Sequence, residues 1–273
     1  VSSAFRFIYQ RWFQIFIVGL LLFFGAEQVL RFTSNPNFIP TVILLGAFVV
    51  PVTFVAYFYG QERTLDKKTH AEAPLIMGAA CFLIGGTIGI IAAGFLEYET
   101  LSKLSILGLF GVGAIEESAK LIFPIAIYVH ARYRSEADGL LFGVASGMGF
   151  AALETMGYGL VALISSQGNI GVLEEVLLIR GLLSPVGHAA WTGLVCATLW
   201  HKREQTGRSF SPVVLGIFAL AVVLHTLWDV AGSFQSPVIA YAGYLIVGGT
   251  SLTLLIRKLR EARRSIPAMG QLG

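Results

Sequence analysis

Charge is scarce in this chain. Only 13% of its 273 residues are charged while 55% are hydrophobic, and a mean hydropathy of +0.75 is far from the balance of a water-soluble domain. That composition excludes a soluble globular enzyme and points to an integral membrane protein. Cysteine is scarcer still. Cys81 and Cys196 both sit in apolar runs with no Cys or His at ligand spacing nearby, which argues against a thiolate zinc site or a disulfide framework. The formal net charge of +3 is not gathered into a basic stripe with stacking aromatics, so nucleic acid is set aside as a partner. No small-residue cleavage site follows the first apolar run, which is long enough to span, and it reads as a helix instead of a signal peptide. A start at Val1 suggests further residues upstream. No repeat of fixed period is visible, and no stretch leaves room for a soluble domain, so residues 1–273 read as a single membrane domain.

What the sequence has in quantity is long apolar runs. A bilayer core of about 30 Å takes about 20 apolar residues per helix. Eight segments qualify, at 11–31, 41–60, 74–96, 105–129, 139–165, 185–201, 212–232 and 237–257. The expected fold is therefore all-α, a polytopic helix bundle with about eight transmembrane helices. Pro74, Pro185, Pro212 and Pro237 each fall at an expected first helical position, where the missing N–H would lack a partner in any case. Glycines 143, 147, 149, 157 and 159 in the fifth span allow neighbouring helices to approach closely. Alternate loops and termini divide the Lys and Arg residues fifteen to three, with Lys120 inside a span, and this asymmetry places both termini in the cytoplasm. The segment 172–183 then lies outside, and its mixed faces suggest a short helix on the membrane surface, shaping an entrance from the lipid.

Against this background a few polar residues demand an explanation. Gly111-Val-Gly-Ala-Ile-Glu116-Glu117-Ser-Ala-Lys120 puts three ionisable groups into an apolar run, where each costs about 2.5–3.5 kcal/mol on insertion scales. On a helix Lys120 reaches back to both carboxylates. Adjacent residues point about 100° apart, so one glutamate is expected to do chemistry and the other to support it. Glu154 lies among the glycines of the fifth span and faces packed protein. His188 falls in the first turn of the sixth span, where the helix dipole favours the neutral imidazole that a metal needs. His225 and Asp229 form an i, i+4 pair on the seventh span, suited to two ligands or to a histidine with its orienting carboxylate. At about 1.5 Å per residue, Glu116 and Glu154 lie roughly 13–17 Å from the outer surface, His225 about 10 Å, and His188 and Asp229 roughly 5–6 Å. All fall in the outer half, as one site in a bundle core requires. The bland alternatives are a buried ion pair for Glu116, Glu117 and Lys120, a neutral hydrogen-bonding acid at Glu154, and a polar cap at His188. Glu27 with Arg31 reads as a structural pair at a membrane edge, and His130, His201, His70, Glu174 and Glu175 as solvated residues. From the residues alone two functions survive. One is an intramembrane hydrolase, with or without a metal. The other is a proton-coupled transporter or channel using the same groups as a relay.

At these same positions the sequence resembles the PrsW-type intramembrane proteases, relatives of the CAAX-processing and Abi endopeptidases. Glu116-Glu117-Ser-Ala-Lys120 resembles that family's EExxK motif, Phe150 through Tyr158 its glutamate-bearing motif, Arg180 through His188 its sixth-helix histidine segment, and His225 through Asp229 its HxxxD motif. The second motif departs from the pattern, with Phe150 four residues before Glu154 instead of beside it. The resemblance implies an endopeptidase of the bacterial plasma membrane that cuts a membrane-protein substrate, such as a single-span anti-sigma-type protein in regulated proteolysis. On that reading the catalytic set is Glu116 as general base, Glu117 and Lys120 in support, and Glu154, His188, His225 and Asp229. Glu154, His188 and His225 would hold Zn2+, with Asp229 orienting His225. A metal-free alternative uses Glu116 as base and the histidines or Asp229 to position water or bind the oxyanion.

Overall fold

The structure is a computed structural model that describes residues 7–65, 74–101, 108–130, 133–207 and 211–264. All its regular structure is helical. In chain order the α-helices are α1 (Arg11–Thr33), α2 (Ile39–Leu65), α3 (Pro74–Ala80), α4 (Gly86–Leu101), α5 (Gly108–Val129), α6 (Glu136–Ser165), α7 (Ile170–Leu183), α8 (His188–Thr206), α9 (Pro212–Ser233) and α10 (Pro237–Arg264). A π-helical turn, Cys81–Gly85, joins α3 to α4, so these form one interrupted rod where the sequence suggests a continuous span. Its cause is packing. A Cβ at Gly149 of α6 would collide with the Phe82 carbonyl, and one at Gly86 would meet the Gly149 backbone. The rod meets α6 backbone to backbone at this turn, and π turns of this kind recur where helices are locally distorted.

Six helices are long and apolar enough to cross a membrane by length and composition: Arg11–Thr33, Pro36–Gln61, Leu75–Thr100, Glu136–Ser165, Pro212–Ser233 and Pro237–Ala262. The other two expected spans, 105–129 and 185–201, correspond to α5 and α8. α5 carries Glu116, Glu117 and Lys120, and the last turns of α8 carry His201, Lys202, Arg203 and Glu204. α5 still exposes Leu109, Phe110, Ile122, Ile125 and Val129, whereas α8 needs little lipophilic surface. Every residue of α8 from His188 to Trp200 is buried, which makes α8 the interior strut of the bundle.

The α6–α8 contact sets this interior. Gly139, Gly143 and Gly147, spaced one turn apart, face α8 so closely that a Cβ at Gly143 would lie 2.6 Å from the Thr192 carbonyl and one at Gly147 would strike the His188 carbonyl. This is small-residue packing with the side chains removed from the seam. Gly157, expected to take part, has nothing within 4 Å of where a Cβ would be. Ser135 opens α6 with a capping box, its hydroxyl accepting from the Asp138 N–H while Asp138 accepts from the Ser135 N–H.

Pro74, Pro212 and Pro237 stand at the first positions of α3, α9 and α10. Pro185 does not open α8: Ser184–Val186 is a separate 3-10 turn, and α8 begins at His188 after Gly187. The short helix expected at 172–183 is present as α7, capped by the Asn169 side chain. Leu173 and Leu177 of α7 are fully buried in a cluster with Phe23, Val42, Ile43 and Leu163, so α7 packs along α2 and α6. Glu174 is not a loop residue. Arg31 pairs with Glu27 one turn back and with Glu174 at 2.8 Å, tying α1 to α7. His201 likewise has a partner, Glu136, at 2.6 Å, and Lys258 reaches the same carboxylate at 2.7 Å. Cys81 and Cys196 are buried free thiols. His70, Lys67, Lys68, Lys103, Arg132 and Arg208 lie outside the described residues.

Candidate active site

The polar residues singled out by the sequence converge. α5 brings Glu116, Glu117 and Lys120, α6 brings Glu154, α8 brings His188 as its first residue, and α9 brings His225 and Asp229. Lys120 is wholly enclosed. Its Nζ donates to Glu117 Oε1 at 2.8 Å and to Glu116 Oε2 at 3.1 Å, the two contacts that i, i+3 and i, i+4 spacing allows. The ammonium also sits 4.4 Å from the centre of the Phe150 ring.

The adjacent glutamates have different surroundings. Glu117, 1% exposed, contacts Lys120 and His225 Nδ1 (2.9 Å) with one oxygen and Thr192 Oγ1 (3.4 Å) with the other. Glu116 shares Lys120 with it and also joins a group from which His225, an expected ligand, is absent. One carboxylate oxygen of Glu116, one of Glu154 and one ring nitrogen of His188 all lie within 4.8 Å of each other. His225 Nε2 stands 3.6 Å from Glu116 Oε2 and 3.6 Å from Asp229 Oδ2. The nearer carboxylate on the His225 ring is therefore Glu117, on Nδ1, and not Asp229.

Aromatic walls hold the imidazoles. Trp191 stacks on His225 at 4.7 Å and donates its indole N–H to Ser251 Oγ at 2.9 Å. Phe150 stacks on His188 at 5.9 Å, so this ring, displaced in sequence from the pattern, lies between Lys120 and His188.

Sequence reasoning missed two residues. Arg180, which heads the histidine segment but was given no role of its own, projects from α7 so that Nη2 pairs with Glu154 Oε1 at 2.9 Å while its guanidinium covers the Tyr158 ring at 3.8 Å. The available signal was its place in the apolar run Val176–Leu183, directly before the 3-10 turn leading to His188. Glu97 of α4, near the end of its rod, has a buried Oε1 with no hydrogen-bond partner and lies within electrostatic range of Glu116 and Glu154.

The donor set fits a metal ion on three counts. Glu154 Oε2 is buried with no hydrogen-bond partner, which would be costly if nothing ever satisfied it. His188 Nε2 and Glu154 Oε2 are 3.4 Å apart, near enough to hold one ion between them. Glu116, Glu117, Glu154 and Asp229, if ionised, outnumber Lys120 and Arg180 by two charges, which a divalent cation balances. A cavity of about 80 Å³ reaches His188 from the side of α7, between Arg180, Leu183, Trp228 and Tyr244.

Comparison with known proteins agrees with this geometry. A sequence profile described as PrsW family intramembrane metalloprotease matches residues 73–255. The chain is 27% identical over 197 residues to Protease PrsW of Halalkalibacterium halodurans, covering 68% of this chain and 81% of that one. It is 24% identical over 232 residues to Protease PrsW of Shouchella clausii, covering 81% and 97%, and 27% identical over 160 residues to that of Bacillus subtilis, covering 56% and 65%. No solved structure matches. Between a hydrolase and a proton relay, these matches decide for the hydrolase. With its profile match running from the α3 rod to α10 and enclosing every residue of the buried cluster, the chain belongs to the PrsW family of intramembrane metalloproteases and is a peptidase.

Proposed function

We propose that this protein is a zinc endopeptidase, a single membrane domain in which Glu154, His188 and His225 hold the ion and Glu116 is the general base. The observation that carries the reading is the position of Glu116, whose carboxylate faces Glu154 and His188 on one side and His225 Nε2 on the other. His225 has the arrangement of a ligand histidine: Glu117 holds Nδ1 and fixes the ring, leaving Nε2 directed at the site. When bound, the ion would polarise the scissile carbonyl and make water more acidic. The chain's own groups do the rest. Glu116 accepts the proton of the attacking water and returns it to the leaving amine. Lys120 balances the paired carboxylates, and Arg180 holds the outer oxygen of Glu154 so that Oε2 faces His188. Phe150 and Trp191, both fully buried, keep bulk water from the layer.

The substrate we infer is a membrane protein, such as a single-span anti-sigma-type protein, cut near its extracytoplasmic boundary. The cavity beside His188 opens where α7 meets α8, the end that the Lys and Arg asymmetry assigns to the outside. A continuous helix hides its carbonyls in its own hydrogen bonds, so the cut segment must be unwound or lie just beyond the span.

Chelation tests the metal, and mass spectrometry tests the position of the cut. Purified protein stripped of metal should lose cleavage of a single-span substrate and regain it with Zn2+. Products should map to the outer end of the span. Undiminished cleavage by metal-free protein would overturn the zinc reading, and a cut at the cytoplasmic end would overturn the placement.

A further inference from the structure

Away from the catalytic layer, α1, α2 and α3 leave a cleft of about 650 Å³ between them, with Leu141 of α6 also lining it. Its polar groups gather at one end. Gln10, Arg11 and Trp12 stand at the start of α1, beside the end of α2, where Trp12 meets Tyr57 at 5.8 Å between ring centres and Tyr59 also lines the cleft. Beyond that mouth the lining is apolar, ending at Phe48 and Leu83.

Length decides what fits. From Tyr59 to Phe48 along α2 the cleft runs about 17 Å at 1.5 Å per residue, roughly one leaflet of a bilayer core of about 30 Å. A transmembrane helix would have to continue through the other leaflet, past Phe48 and Leu83 where the lining ends. A hydrocarbon chain needs only one leaflet and a narrow slot. At the mouth, Arg11 is the one formally charged residue of the lining and has no carboxylate partner among the described residues. Trp12 and Tyr59 beside it are the residue types that settle at headgroup level.

We propose that this cleft binds one anionic phospholipid, its headgroup phosphate against Arg11 and one acyl chain along α2 and α3 as far as Phe48 and Leu83. Arg11 supplies the preference for negative headgroups that basic residues at a membrane surface carry. The site is structurally joined to the catalytic layer. Phe82 lines the cleft, and its carbonyl packs on Gly149, next to the Phe150 that covers Lys120 and His188.

Native mass spectrometry of the full chain, released from mixed micelles of equimolar phosphatidylglycerol and phosphatidylethanolamine, tests the proposal. The expected result is one retained phosphatidylglycerol, preferred about fivefold for the single basic residue. Ala79→Trp, from an exposed position of α3 that lines the cleft, should abolish retention, and Val52→Trp should do so from α2. Arg11→Gln should keep a lipid but lose the preference. Equal retention of both lipids by the wild type, or a preference unchanged in Arg11→Gln, would overturn the headgroup assignment even if a filled variant failed to fold. Retention unchanged in a folded Ala79→Trp or Val52→Trp variant would overturn the site itself.

Discussion

Glu117 and Lys120 are among the most enclosed charges in the protein, and their neighbour Glu116 differs from them in having one side of its carboxylate turned to the other site residues. Replacing Glu117 by Gln removes a buried partner from Lys120 and the carboxylate that holds His225 Nδ1. Breaking a buried pair costs about 3–5 kcal/mol, so Glu117→Gln, which also loses the His225 contact, should show a lower thermal midpoint in detergent than Glu116→Gln, which loses only the longer Lys120 contact. Equal melting of the two variants would mean that the glutamates are not divided in this way. Arg180→Ala should leave Glu154 unheld and lower turnover about 10–100-fold, as losses around ligands do, with Arg180→Lys recovering part of it. Unchanged kinetics in both would make the Arg180 contact incidental. The grouping of Glu116, Glu117, Lys120 and His225 was legible in the sequence because ionisable residues in apolar runs need partners, and here they pair with one another. Arg180 and Glu97 were not, since both fall near helix ends, where a charge is ordinarily explained by water.

At the scale of elements, the bundle depends on a seam from which side chains are missing. Gly143 abuts the Thr192 carbonyl of α8, whereas Gly157 of the same helix has open space. Gly143→Leu should push α8 away, move His188 and cost upwards of about 1–3 kcal/mol. Gly157→Leu should be tolerated. Thermal unfolding with activity on a membrane substrate separates the two, and tolerance of Leu at 143 would show that the seam can relax. The close approach was legible in the glycine spacing. The π turn at Cys81–Gly85 was not, because an i→i+5 turn follows from the fit against Gly149 and leaves no pattern in its own segment. Nor was the true start of α8, since Pro185 suits a 3-10 turn as well as a first helical position.

For the whole molecule, periodicity and length gave the helices and their order, but not which ones lie at the centre. α8 is interior because α5, α6, α9 and α10 pack around it, a property of the assembly that no single segment carries. The orientation expected from the charge asymmetry can be checked independently of chemistry. On a background lacking Cys81 and Cys196, Ser166→Cys should react with an impermeant thiol reagent from outside and Thr69→Cys only after the membrane is opened. The reverse pattern would turn the site towards the cytoplasm. The central claim, that Glu154, His188 and His225 hold an ion which Glu116 serves as base, is tested most directly by measuring metal content and turnover on the same preparations. Wild type and Glu116→Gln should each carry about one zinc per chain, with turnover in the variant down by about 10²–10⁴, while Glu154→Gln, His188→Ala and His225→Ala should lose both the ion and activity. A Glu116→Gln variant that loses its metal, or a folded His188→Ala variant that keeps both metal and turnover, would contradict it.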